Sequence, residues 1–280
     1  MHPIARIPVS ITGQTWCWRG GVPGALEDGF HTDDLVTQLL LARGCARAEV
    51  AVHRAPTLRH FMPDPSSFRD MDAAARRLAD AVEAQEAVTI YGDYDVDGAT
   101  SAALLVRLLR DLGLAAGAYI PDRLMEGYGP SGAALVKLAQ AGSRLIVTVD
   151  CGAQAFEALE MAQAAGVDVI VVDHHKCSTS LPPALALVNP NRLDESDEAV
   201  AHGHLAAVGV AFLLGAALIR ELRTRGYFTA RQEPALLDLL DLVALGTVAD
   251  VAQLRGLNRA FVAQGLKVMA ARANIGMAAL

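Results

Sequence analysis

The chain has 280 residues, of which 52% are hydrophobic and 20% charged, and it carries a formal net charge of −7. That length buries a large core and suits one main globular domain with accessory segments. The acidic balance argues against a generally basic nucleic-acid binder, but it leaves room for a phosphate substrate, because bound divalent cations invert the local field.

The amino terminus lacks the basic-then-apolar pattern of a secretory signal. Cys17, Cys45, Cys151 and Cys177 form no CxxC pair, so they read as reduced thiols of a cytoplasmic protein, not as a zinc site or disulfide framework. Residues 1–68 read as an irregular lead-in with one helix, capped by Thr32 or Asp33 and apolar from Leu35 to Ala42. Its end, residues 56–67, is rich in proline and aspartate and reads as a loop. Residues 69–86 are amphipathic at helical spacing, with Met71, Ala75, Leu78 and Val82 on one stripe.

A strand–helix alternation follows. Strands are expected at 88–92, 116–120, 145–149, 167–172 and 184–188, and helices at 99–112, 131–141 and 154–165. Several strands are nearly unbroken apolar runs, which marks them as buried on both faces. The expected fold class is therefore α/β, a mostly parallel sheet with helices on both faces. After residue 200 the pattern turns helical, at about 203–225, 233–246 and 256–272. The longest apolar run, residues 205–219, is followed at once by Arg220, Glu221, Arg223 and Arg225, so it reads as a buried helix and not a membrane span.

Acidic motifs end the strands. Asp93, Asp95 and Asp97 crowd behind the first, Asp150 ends the third, and Asp173-His174-His175 ends the fourth. Like charges this close repel by about 4 kcal/mol per pair at ~4 Å and intermediate dielectric, so a fold keeps them where cations neutralise them. In a parallel sheet the carboxyl ends share one edge, and the groups converge there. Asp250, closing an apolar helix, can reach the same edge. Five or six carboxylates with one or two imidazoles suit a pair of divalent ions, magnesium or manganese, with imidazole favouring manganese. Such a pair activates water and stabilises charge on a phosphoryl group. A lone strand-end aspartate is as often a helix cap, and a His-His pair is usually structural. Gly127-Tyr128-Gly129-Pro130-Ser131 reads by itself as a turn, and His2, His31, His53, His60, His202 and His204 as surface or structural.

Four ordered motifs resemble those of the DHH phosphoesterase superfamily: Gly92-Asp93-Tyr94-Asp95-Val96-Asp97-Gly98, Thr148-Val149-Asp150-Cys151-Gly152, Val172-Asp173-His174-His175 and Gly246-Thr247-Val248-Ala249-Asp250-Val251. Pro121-Asp122-Arg123 with Glu126-Gly127-Tyr128-Gly129, Val188-Asn189-Pro190-Asn191 and Val208-Gly209-Val210-Ala211-Phe212 narrow the likeness to its RecJ-type single-strand exonucleases. The resemblance spans about residues 70–270. It implies Asp95, Asp97, Asp150, His174 and Asp250 as metal ligands, with Asp150 as the bridge. Asp93 becomes a ligand or its immediate support, His175 a metal or scissile-phosphate contact and Arg123 a phosphate contact. Asp150 and His175 are the catalytic candidates.

The activity so implied is 5′→3′ hydrolysis of single-stranded DNA to mononucleotides in repair and recombination, by a cytoplasmic monomer using two divalent cations, with single-strand-binding protein as an expected partner and no membrane. Residues 69–255 would be the catalytic domain, and 256–280 the start of a connector to a DHHA1 domain that, with an OB-type fold, is not among these residues. Cys151 stands where many relatives have asparagine. Two other readings remain at this point: a DHH enzyme of small substrates (pyrophosphate, short oligoribonucleotides or cyclic dinucleotides) and a catalytically silent DHH scaffold. A dinucleotide-binding Rossmann domain fails, because no GxGxxG follows the first strand.

Overall fold

The structure is a computed structural model and describes residues 11–14 and 35–279. Cys17, His2, His31 and the expected caps Thr32 and Asp33 lie outside the described residues. The chain forms two compact units, Met1–Ala55 and Pro56–Leu280. In the first, α1 (Leu35–Ala42) and α2 (Val50–Arg54) are joined through a 3-10 turn, Arg47–Glu49. Arg54 donates to the Thr37 hydroxyl at 3.3 Å.

The second unit opens with α3 (Leu58–Phe61), a 3-10 turn at Pro65–Ser67 capped by Asp64, and α4 (Met71–Ala84). The single helix expected before residue 69 is thus three short ones. Gly44, at a left-handed φ of 87°, follows the end of α1, and prolines at 56 and 63 stop α2 and α3. All four stripe residues of α4 (Met71, Ala75, Leu78 and Val82) are buried.

Five strands follow: β1 (Val88–Gly92), β2 (Ala116–Tyr119), β3 (Leu145–Val149), β4 (Asp168–Val172) and β5 (Ala186–Val188). They form one sheet in the order β2-β1-β3-β4-β5, and every pairing is parallel. The connecting helices are α5 (Val96–Asp111), α6 (Gly132–Gln140) and α7 (Phe156–Ala164), and β4 reaches β5 through a loop. Side chains alternate along each strand. Ile90, Val147, Ile170 and Val188 face a large core shared with α4, α5 and a later helix at Ala207–Thr224; Tyr91, Ile146, Val171 and Leu187 face a smaller one with α6 and α7. Burial on both sides accounts for the unbroken apolar runs. The winding reverses between β1 and β3, which opens a crevice at their carboxyl ends.

Beyond the sheet lie α8 (Asp197–Val200), α9 (Ala207–Thr224), α10 (Leu240–Ala249), α11 (Gly256–Ala270) and α12 (Ile275–Ala279). Several boundaries depart from expectation, among them β5, which starts at Ala186, and α10, which starts at Leu240 behind a 3-10 turn at Leu236–Leu239. Helix α5 starts at Val96, three residues early, because Asp95 caps it by accepting from the Gly98 amide at 3.0 Å. Helix α9 starts late, because residues 201–204 form a turn after α8. Helix α11 ends at Ala270, where Arg272 takes a left-handed φ of 52° and stops the run. Among the described residues no helix is long and apolar enough to cross a membrane.

Helix α9 is locked to α11 by Phe212 and Phe261, both fully buried, with ring centroids 5.1 Å apart at 68°. Replacing Phe212 with alanine should cost about 3–5 kcal/mol of stability, read as a lowered denaturation midpoint with unchanged slope.

Candidate metal centre

The loop after β1 is shaped by close packing. A Cβ on Gly98 would lie 2.6 Å from the Asp93 amide nitrogen, so only glycine lets α5 begin against the end of β1. This turn puts Asp93 and Asp97 in the interior and leaves Asp95 exposed. Asp150 follows β3 with a left-handed φ of 62°. Aspartate tolerates that region better than most residues, and the surrounding packing holds the strain.

Asp97 is buried. Its two oxygens accept from the first amides of α9, Ala207 at 2.7 Å and Val208 at 2.9 Å. An anion at a helix amino terminus is favourable, so Asp97 both anchors α9 and faces the site. Asp250 is the C-cap of α10, and the next residue, Val251, also has a left-handed φ, 57°. That is unusual for a β-branched side chain. Helix α10 approaches closely because residue 246 is glycine: a Cβ there would sit 3.0 Å from an Asp97 oxygen and 2.8 Å from Val208, and would collide with the Thr100 hydroxyl.

The imidazole of His174 is oriented by its Nδ1, which donates to the Leu205 carbonyl at 3.0 Å. Nε2 then points at the acids, 3.1 Å from Asp150 Oδ1 and 3.9 Å from Asp97 Oδ2. His175 Nδ1 donates to Asp173 at 2.8 Å and lies 3.9 Å from Asp150. Three overlapping sets of ligand atoms result, each within 4.8 Å: Asp93, Asp95 and Asp150; Asp150, His174 and His175; and Asp97, His174 and Asp250. Every candidate ligand is therefore brought to one place. Buried atoms Asp93 Oδ1, Asp150 Oδ1 and His174 Nε2 lack well-aligned hydrogen-bond partners. Unsatisfied buried acceptors are costly, and oxygen-rich sets with one or two imidazoles fit magnesium or manganese.

Asp173 has a different task. Its Oδ1 accepts from the amides of His174 (2.7 Å) and His175 (3.1 Å) as well as the His175 ring, and its Oδ2 accepts from Ala153 at 2.9 Å. With its oxygens so occupied it orients His175, a role the motif alone did not reveal. Arg123 is on the exposed loop after β2, its guanidinium carbon 5.1 Å above the Tyr94 ring. Tyr94 meets Tyr128 edge-on at 6.4 Å, and the Tyr128 hydroxyl lies 3.4 Å from His175 Nε2. Reading residues 127–131 as only a turn overlooks Tyr128. That loop is pinned by Tyr91 donating to Gly129, by Tyr119 donating to Glu126, and by Glu126 accepting from the Asp122 amide. Cys151 is buried, which pushes its thiol up, and its Sγ donates to the Val149 carbonyl.

Electrostatics follow from the crowding. Burial raises the Asp93 and Asp250 carboxyls, and lifts Asp97 to about 6 and Asp150 to about 8. For His174, burial opposes the cation, but Asp150, Asp97 and Asp250 outweigh it and raise it to about 9. The Asp173 hydrogen bond raises His175. Burial would raise Asp173 too, but the His175 contacts and backbone donors hold it below the usual carboxylate range.

A parallel sheet that gathers five carboxylates and two imidazoles at its carboxyl edge defines an α/β protein with a candidate divalent-metal centre. This chain belongs to the DHH family: the model of the DHH family, N-terminal domain, matches residues 87–247. Among its relatives, the single-stranded-DNA-specific exonuclease RecJ of Bacillus subtilis (strain 168) is 36% identical over 253 residues, covering 90% of this chain and 30% of that protein. The enzyme of the same name from Dickeya dadantii (strain 3937) is 44% identical over 211 residues, 74% of this chain and 36% of that one. The crystal structure of RecJ in complex with Mn2+ from Thermus thermophilus superposes with a TM-score of 0.67 at 33% identity, covering 86% of this chain and 32% of that one. The chain thus spans about a third of the length of these relatives.

Two expected outcomes follow from this geometry. Gly246→Ala, normally favourable by about 1 kcal/mol inside a helix, should instead lower the melting temperature and weaken Mn2+ binding, because the new methyl displaces Asp97 and Thr100; a stabilised variant with unchanged affinity would contradict it. Ligands must shed protons to bind a cation, so Mn2+ binding should release protons and tighten from pH 6 to 9. Metal-free stability should run the other way. These groups titrate higher folded than unfolded, so their contribution is complete below the unfolded values (~4 for carboxylates, ~6.5 for histidine) and is lost as pH climbs through about 6, 8 and 9. Calorimetry in buffers of differing ionisation enthalpy counts the protons.

Proposed function

We propose that this chain carries the catalytic part of a metal-dependent 5′→3′ exonuclease acting on single-stranded DNA in repair and recombination. The observation that carries the reading is the overlap of three ligand sets on Asp150 and His174, beside a rim of Arg123, Tyr94, Tyr128 and His175. Support also comes from relatives named single-stranded-DNA-specific exonuclease and from a RecJ structure holding Mn2+.

When bound, two divalent cations would supply Lewis acidity and lower the pKa of water at the scissile phosphodiester. Manganese suits the mixed oxygen and imidazole donors, with magnesium an alternative. Asp150, shared between two ligand sets, would serve both cations, Asp93 and Asp95 would hold one, and Asp97, His174 and Asp250 would hold the other. His175, whose cation the Asp173 hydrogen bond favours, offers a donor to the phosphate in reach of Asp150. Arg123 presents a planar fork for a neighbouring phosphate, and the faces of Tyr94 and Tyr128 suit nucleobases. The pinned loop and Asp173 hold these groups before substrate arrives, so little ordering remains for the bound state.

In this reading residues 69–255 form the catalytic domain and 256–280 begin a connector: Leu257 and Phe261 at the head of α11 are buried, and Leu266 further along is exposed. A cytoplasmic monomer that works with single-strand-binding protein completes the proposal. A silent scaffold fits less well, since no ligand carboxylate is lost.

Asp150→Ala should reduce Mn2+-dependent cleavage of 5′-labelled single strands by more than about a hundredfold while circular dichroism stays native. Arg123→Ala should raise KM with little change in kcat. Unchanged cleavage by the Asp150 variant would end the bridging role. Release of labelled mononucleotide from the 5′ end, with dinucleotides and cyclic dinucleotides poor substrates, would favour the exonuclease over a small-substrate enzyme.

A further inference from the structure

The loop that carries both histidines has no ladder of its own. Residues 173–185 run from β4 to β5 without a helix or strand, so the backbone groups of His174 and His175 must find other partners. The amides go to Asp173, and the carbonyls find partners in the segment just after β5. Asn189, fully buried, donates from Nδ2 to the His175 carbonyl at 2.8 Å. Asn191 donates from Nδ2 to the His174 carbonyl at 2.6 Å and also to the Gly203 carbonyl at 3.1 Å. The two amides are set against each other, since the Asn191 backbone N–H donates to Asn189 Oδ1 at 2.8 Å.

The segment is itself anchored. Arg192, almost wholly buried, donates to Asp70 and to the Leu187 carbonyl, each at 2.6 Å, and forks onto Asp194 at 3.0 and 2.9 Å. Asn191 has a second reach that matters more. Gly203 lies two residues before Leu205, whose carbonyl receives His174 Nδ1–H. Ala207 and Val208, just beyond, hold Asp97. One amide group therefore ties the backbone of His174 to the segment that aims its ring and fixes a neighbouring carboxylate.

We propose that residues 189–192 are a positioning element of the metal centre: Asn189 and Asn191 fix the backbone of His175 and His174, and Arg192 fixes the asparagines. The proposal rests on the metal-centre reading above. Groups that orient a metal ligand without touching the metal typically change affinity or activity by 10–100-fold, whereas an asparagine that only steadies a loop would lower the melting temperature and leave the affinity of the folded fraction intact.

The test is Mn2+ titration of the whole chain by calorimetry, well below the melting temperature. Metal-free melting is followed by circular dichroism, and the His174 Nδ1 proton by NMR. Asn191→Asp keeps the side-chain shape and removes both donors; Asn191→Ala and Asn189→Ala remove the amides. Each should weaken Mn2+ by about 10–100-fold, and the Asn191 variants should also lose the protected His174 proton signal. Arg223→Ala, which breaks a remote surface pair with Glu233, should match the parent. Folded asparagine variants that bind Mn2+ within about twofold of the parent and keep the proton signal would overturn the proposal, as would failure of all three to fold. A parent chain that binds no Mn2+ overturns the metal-centre reading, and this proposal with it.

Discussion

Carboxylates gathered at one edge of a sheet repel one another, and the rest of this structure is arranged so that they stay. The clearest case is Asp97. It is buried near His174 and Asp250, where an uncompensated charge would be costly. The fold offsets this with the first two amides of α9, drawn from 110 and 111 residues along the chain. The same bonds set where α9 begins, and α9 in turn lines the large core. Site and core are therefore not separable: a change that loosens Asp97 also loosens the helix on which one face of the sheet is packed.

The acidic residues divide by the donors that reach them. Asp173 sits in the same motif as the two histidines, yet amides and an imidazole occupy both its oxygens. Asp93 and Asp150 each keep one buried oxygen without a well-aligned hydrogen-bond donor. This difference, and not their order in the chain, separates a carboxylate that can accept a cation from one that steadies a neighbour.

Much of this was legible in the sequence. The apolar runs at 145–149 and 167–172 announced doubly covered strands, and the strand-end acids announced a shared edge, because parallel topology turns distant strand ends into neighbours. Asp250 was legible as the close of an apolar helix. What stayed hidden depended on backbone groups or on long-range packing. The amides of Ala207 and Val208 and the carbonyl of Leu205 carry no side-chain signature. Asn189 and Asn191 look like turn residues until the carbonyls they serve are seen. The need for glycine at 246 appears only when α10 is laid against Asp97, and the edge-on meeting of Tyr94 and Tyr128 only when the loop after β2 is folded.

Arg192 and Asp70 have a consequence at the sheet's margin. Strand β5 is the last in the order, so its outer N–H and C=O groups would ordinarily be open to a strand from another molecule, a common route to aggregation. Here the outward amide of Leu187 donates to Asp70 at 3.1 Å and its carbonyl accepts from Arg192. The exposed border of a three-residue strand is thus closed by a guanidinium and a carboxylate. An incoming chain would have to break this half-buried ion pair before it could form its first rung, which discourages self-association through this edge.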